Sequence, residues 1–171
     1  MIELLTERLQ LRALGLEDFE AHAAICADPE VMTYIRGPIS RADSWWQIAK
    51  YLGHWQLRGY GFWGAFERAT GDLVGHIGFL DPDGGHGLEI GWALARDAWG
   101  KGYAFEGARA AVDHAFTVLD RERIVCLIHP ENVRSIRVAE RLGASREREI
   151  EEAGKPLVLF AITRPAGSAA P

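Results

Sequence analysis

A chain of 171 residues, 48% of them hydrophobic, is long enough to bury one well-packed core and too short for two. Its formal charge of −5 and scattered basic residues exclude the clustered cationic stripe of a nucleic-acid surface. No stretch approaches the roughly 20 apolar residues of a membrane span, and Met1–Leu5 lacks the basic and apolar regions of a signal peptide. The expectation is a cytoplasmic protein with no membrane partner. Cys26 and Cys126 fall within apolar patterns, have no metal-ligand spacing between them, and read as reduced core residues.

In chain order, Leu9–Leu14 alternates apolar and polar residues as a half-buried strand does, and a helix follows from about Glu17 to Ala27, stopped near Pro29. Ser40 caps a second helix reaching about Arg58. Strands at Phe62–Glu67 and Leu73–Leu80 flank the turn Thr70-Gly71-Asp72, and Asp81-Pro82-Asp83-Gly84-Gly85 turns the chain into a further strand, Leu88–Leu94. This is an antiparallel meander. In its last strand Leu88, Ile90, Trp92 and Leu94 point one way and Glu89, Gly91 and Ala93 the other, so a carboxylate sits beside two small residues on an open floor. Trp45, Trp46 and Trp55 lie in or near the second helix, with Phe62 and Trp63 after Gly61. Each reads first as sheet-packed and alternatively as an aromatic wall for a ligand. His54, His76 and His129 are possible pocket residues. No histidine pair has ligand spacing, and no metal is proposed.

The run Trp99-Gly100-Lys101-Gly102-Tyr103-Ala104 joins this strand to a helical pattern carried by Ala104, Ala108, Ala111, Val112, Ala115, Phe116 and Leu119. A turn of small residues at a helix start exposes several N–H groups where the helix dipole adds roughly half a positive charge, which makes an anion cradle suited to phosphate. It is not a P-loop, because Gly102 follows Gly100-Lys101 where a hydroxyl residue is needed for magnesium. It fails the dinucleotide fingerprint at Phe105, although Asp120 stands at a ribose-contacting distance, so a nucleotide-binding oxidoreductase is the weaker alternative. The apolar strand Ile124–Ile128 then ends at His129-Pro130. Asn132 caps a helix bearing Ile136, Val138, Ala139 and Leu142, and Gly143 stops it. Strands at Ser145–Glu151 and Leu157–Thr163 surround Gly154-Lys155-Pro156. The small, proline-terminated residues 166–171 read as a flexible tail on a single domain over 1–165.

Together these segments resemble the GNAT acetyltransferases. The cofactor signature of that superfamily, Gln/Arg-x-x-Gly-x-Gly/Ala, is matched by Trp99 to Ala104 with Trp in first place, as in the branch of ribosomal-protein alanine N-acetyltransferases. That branch also has counterparts of Thr6-Glu7-Arg8-Leu9-Gln10-Leu11-Arg12, Asp28-Pro29-Glu30-Val31-Met32, Glu89-Ile90-Gly91-Trp92, and Asn132 to Ser135 before Leu142-Gly143. The resemblance implies an α+β (mixed α/β) fold with a mostly antiparallel central sheet. The sheet is splayed between its fourth and fifth strands for a pantetheine arm and flanked by about four helices. It further implies acetyl-CoA as co-substrate without a metal, and an amine acceptor on a small molecule or a protein N-terminus.

The same resemblance distributes roles. An alkyl amine has a pKa of about 10 and must lose a proton to react, so Glu89 becomes the candidate base, through a water, against the alternative of a structural carboxylate. A backbone N–H around Ala93, Leu94 and Ala95 serves the oxyanion, and Trp99 to Ala104 hold the cofactor's phosphates. Many members carry a Tyr acid where this chain has Ala139. Ser135, one turn earlier on that helix, is the replacement, better suited to hydrogen-bonding the sulfur than to full proton delivery. Asn132 contacts the pantetheine amides or orients the acceptor when it is more than a cap, and Arg137 reaches phosphate when it is more than a solvated side chain. Tyr34, Ile35, Arg36, Gly37, His76 and Glu89 are acceptor-side candidates. Ala139 keeps open a non-catalytic acyl-CoA-binding module, and an edge strand near the C-terminus is a possible seam for a homodimer.

Overall fold

The computed structural model describes residues 1–165, and the tail expected at 166–171 lies outside them. Alternating strands must each bury one face, and here they do so in one eight-stranded sheet. Strands β1 (Leu4–Leu5), β2 (Leu9–Arg12), β3 (Phe62–Glu67), β4 (Leu73–Leu80) and β5 (Glu89–Leu94) form the antiparallel meander. Strand β6 (Arg123–Ile128) lies parallel to β5, and β7 (Ser145–Glu152) and β8 (Lys155–Thr163) complete the order β1-β2-β3-β4-β5-β6-β8-β7. The mixed, mostly antiparallel architecture agrees with expectation. Strand β1 is too short to show a period in the sequence.

The helices are α1 (Phe19–Ala27), α2 (Pro29–Met32), α3 (Arg41–Arg58), α4 (Tyr103–Thr117) and α5 (Val133–Arg141). The fifth helix arises because Pro29, read as a stop, also opens a new turn: Asp28 Oδ1 accepts the Glu30 N–H at 2.9 Å, and a proline at the first helical position has no N–H to lose. Residues Leu16–Asp18 form a 3-10 turn, so regular helix begins at Phe19 rather than Glu17. The Ser40 hydroxyl accepts the Asp43 N–H at 3.1 Å, and Gly59, at φ 76°, closes α3 in a left-handed conformation that a side chain would oppose.

One face of the sheet is covered by α4. The slim alanines Ala108, Ala111 and Ala115 are fully buried against Leu9, Leu11, Ile77 and Ile124. A Cβ on Gly107 would fall 2.4 Å from Ile77 Cδ1, so glycine there lets the helix sit directly on the strands. On the opposite face, α1 and α3 bury Phe19, Ile48 and Tyr51 against Leu14, Phe62 and Phe66. Fully burying each such side chain stabilises the fold by about 1.5–3 kcal/mol.

The seam between β5 and β6, the fourth and fifth strands of the sequence reading, shapes the site. It has one register pair, Glu89 with Val125, and the Val125 N–H donates to the Leu88 carbonyl at 2.8 Å. Beyond that pair the strands part. At the far end the Leu94 carbonyl is taken by the Trp99 indole N–H at 2.9 Å, a side chain standing where a strand would.

Candidate active site

The parting strands open a cleft of about 560 Å³ that runs from the turn before α4, past β5 and α5, to the loop after α2. The end of the cleft at the turn before α4 is built by glycine conformation. Gly100 and Gly102 adopt φ of 75° and 84°, which side chains resist, and they aim the turn into the first turn of α4. The turn is held from behind. Arg8 Nη1 donates to the Lys101 carbonyl at 2.9 Å, Arg8 Nε donates to Glu106 Oε2 at 2.7 Å, and the Thr6 hydroxyl donates to Glu106 Oε1 at 2.6 Å. The Thr6-Glu7-Arg8 sequence therefore acts as a brace for the cradle, which its pattern alone did not disclose. Trp99, Gly100, Gly102, Tyr103 and Ala104 line the cleft; the Lys101 side chain does not and is exposed.

Backbone geometry narrows the oxyanion candidates. The Ala95 N–H is consumed by the Val74 carbonyl at 2.9 Å, so Ala95 cannot serve. Strand groups alternate sides, hence Ala93 also addresses β4, while Leu94 shares the side of Leu88, whose carbonyl meets β6. Of the three residues, Leu94 turns its N–H into the gap.

Helix α5 flanks the cleft. Asn132 Oδ1 accepts the Ser135 N–H at 3.2 Å, so the cap is real and leaves the Asn132 amide NH₂ for a ligand. Ser135 lines the cleft, and Ala139 below it is fully buried. Arg137 faces the cleft together with Arg134 and Arg141, spaced three and seven residues along the helix. Arg134 lies over the Trp99 ring at 3.9 Å and Arg141 over Phe105 at 4.0 Å. Among the described residues none of the three makes an ion pair. The sequence reading missed two of them, although their helical spacing with Arg137 was visible.

At the other end, Glu89 shares a face with Gly91 and Ala93, as alternation requires. Burial, reinforced by the nearby Glu152, raises its carboxyl to about 7 against the opposing pull of Arg36 and Lys50. Glu152 and Lys50 were not anticipated, since they come from β7 and α3. Tyr34 stacks on His129 with ring centroids 5.2 Å apart, and the Ile35 carbonyl accepts from Lys155 Nζ at 3.3 Å. The loop after α2 thus roofs the cleft from β6 and β8. His76 lines the cleft from β4 but is only 5% exposed, and burial lowers it to about 3, so it is neutral and a weak proton acceptor at physiological pH. His54 is structural: its Nδ1 pairs with the Tyr60 carbonyl at 2.7 Å and its Nε2 accepts the Asp81 N–H at 3.0 Å. Trp55 and Trp63 are core, whereas Trp45 and Trp46 are exposed on α3 and build no pocket wall.

A mostly antiparallel sheet opened at one seam, with an anion cradle at one end and a buried carboxyl at the other, is an acyltransferase architecture. The chain belongs to the GNAT family: the acetyltransferase (GNAT) domain matches residues 8–145, and the protein is an N-acetyltransferase. It is 32% identical over 165 residues to the uncharacterised N-acetyltransferase p20 of Bacillus licheniformis, across 92% of each chain. An acetyltransferase of Agrobacterium tumefaciens superposes with a TM-score of 0.87 at 31% identity, over 96% of this chain and 95% of that one. RimL, a ribosomal α-N-protein acetyltransferase in complex with coenzyme A, shares the fold with a TM-score of 0.80 at 19% identity, over 94% of this chain and 96% of its own. Family membership and the antiparallel meander remove the dinucleotide oxidoreductase reading.

Proposed function

We propose that residues 1–165 act as one domain that transfers acetyl from acetyl-CoA directly to a primary amine of a small molecule or a protein N-terminus. The observation that carries this reading is the Glu89 carboxyl, raised to about 7 at the single pair beyond which the strands part. A base near neutrality accepts the proton of an alkylammonium through a water without being permanently occupied. The amine then attacks the thioester carbonyl. The Leu94 N–H stabilises the oxyanion, a term typically worth about 3–4 kcal/mol per donor. Collapse expels the CoA thiolate, with the Ser135 hydroxyl donating a hydrogen bond to sulfur rather than a proton, since a serine hydroxyl is a weak acid. The Gly100–Gly102 turn holds the diphosphate, Arg134, Arg137 and Arg141 supply charge for the remaining phosphate, and the Asn132 amide meets the pantetheine. Tyr34 and Arg36 border the acceptor. That RimL, which shares this fold, is an α-N-protein acetyltransferase supports including N-termini among the acceptors.

Thiol release from acetyl-CoA, measured against a panel of amines and N-terminal peptides, tests the reading. Glu89→Gln is expected to lower kcat about 10²–10⁴-fold while coenzyme A binding by calorimetry is retained. Unchanged turnover in Glu89→Gln would remove the base assignment. Tight acetyl-CoA binding without thiol release for any acceptor would favour the acyl-CoA-binding module instead.

A further inference from the structure

Behind the acceptor side of the cleft, α1 and β4 bring together two imidazoles and a thiol that acetyl transfer does not use. His22 and Cys26 stand one helical turn apart on α1, and His76 comes from the middle of β4. His22 and Cys26 are fully buried and His76 nearly so. Their candidate donor atoms all lie within 4.8 Å of one another. The group has no ligand spacing in the sequence, because one partner is a cysteine and the two histidines are 54 residues apart along the chain.

The three groups lie within reach of one shared ion. With bonds of about 2.0–2.1 Å to nitrogen and about 2.3 Å to sulfur, a tetrahedral zinc ion sets nitrogen and sulfur about 3.6 Å apart and two imidazole centroids about 5 Å apart. Cys26 Sγ lies 3.7 Å from His22 Nε2 and 3.8 Å from its Nδ1, so the sulfur stands beside the ring and a small side-chain turn brings it to the Nε2 side, while the His22 and His76 ring centroids are 5.1 Å apart. His22 Nδ1 is engaged by the buried Ser44 hydroxyl at 2.8 Å, which leaves Nε2 for a ligand, the outer hydrogen bond that metal-bound imidazoles ordinarily carry. His76 Nδ1 is buried with no hydrogen-bond partner, a costly state that a core packed for stability alone would avoid.

We propose that His22, Cys26 and His76 bind a zinc ion that ties α1 to β4 behind the acceptor side of the cleft. On binding, the Cys26 S–H bond is replaced by a sulfur–zinc bond and the proton leaves to solvent. The two neutral imidazoles donate lone pairs, and the divalent ion with one thiolate leaves a single positive charge. The fourth position is taken by a water or by Gln47, whose Oε1 accepts the Cys26 thiol hydrogen at 3.3 Å and which lines the cleft with His76.

The test uses the untagged full chain, stripped with a chelator and re-equilibrated with zinc or cobalt(II). Elemental analysis after desalting is expected to find about one zinc per chain, and zinc is expected to raise Tm reversibly. Cobalt(II) is expected to give the strong visible bands of a four-coordinate site together with a near-ultraviolet thiolate-to-cobalt band. Cys26→Ser should lose that band and bind zinc at least about tenfold more weakly, whereas Cys126→Ser keeps both. Retention of less than about a tenth of an equivalent by the wild-type chain overturns the proposal, as does a cobalt spectrum without a thiolate band. Equal zinc affinity in Cys26→Ser does the same. The wild-type measurements stand even if a variant fails to fold.

Discussion

Glu89 carries two linked consequences of being a carboxyl placed where water is scarce. Its pKa is raised in the folded chain, so its contribution to stability is present below the ordinary carboxylate range and is lost as pH rises through about 7. Glu89→Gln removes that loss. Relative to the wild type, the variant is expected to gain about 2–3 kcal/mol between pH 5 and pH 8.5, read from urea unfolding at each pH. Activity runs the other way. Since the base works deprotonated, log(kcat/KM) of the wild type is expected to climb with unit slope and level off above about pH 7, for an acceptor whose own titration is held apart. A flat profile between pH 5.5 and 8 would contradict the role. That Glu89 shares a face with Gly91 and Ala93 was legible in the alternation of β5, but the floor is not open, since a Cβ on Gly91 would lie 3.1 Å from the Phe62 ring. The acidity of Glu89 was not legible, because Glu152, Arg36 and Lys50 arrive from β7, the loop after α2 and α3.

At the scale of elements, caps and glycines carried much of what the sequence disclosed. Ser40, Asn132 and Gly143 mark helix ends where the pattern placed them, and Pro29 misled because it both ends one helix and starts another. The brace behind the cradle could not be seen, since Arg8 and Glu106 are nearly a hundred residues apart. It predicts a positioning effect. Arg8→Ala frees the Lys101 carbonyl and the Glu106 carboxylate, so KM for acetyl-CoA should rise about tenfold with kcat nearly unchanged, the pattern of lost uniform binding. A kcat loss of comparable size would mean that Arg8 acts on chemistry. The three cleft-facing arginines of α5 give a second test: their interaction with phosphates is screened, so coenzyme A affinity should fall as salt rises. Arg134→Gln combined with Arg141→Gln should flatten that dependence.

Over the whole molecule, the alternating strands and the slim face of α4 made the sheet and its covering legible, while its edges were less so. Strand β7 is an edge, as the C-terminal pattern indicated, and it carries Arg146, Glu147, Arg148, Glu149, Glu151 and Glu152. A bulge between Arg146 and Arg148 lets Glu147 reach Arg123 at 2.6 Å instead of continuing the ladder. Such an edge resists indiscriminate pairing. A homodimer across β7 would rest on opposed charges, and light scattering at low and high salt would show it dissociating as salt rises.

The single register pair between β5 and β6 makes the sheet two half-sheets joined at one stitch. An extended, amide-bearing ligand laid in the gap would behave as an additional strand, and its grip would be written in backbone protons. Hydrogen exchange at Trp92, Leu94 and the 126–128 stretch should slow when coenzyme A is added, while β2 and β3, already laddered on both sides, keep their rates.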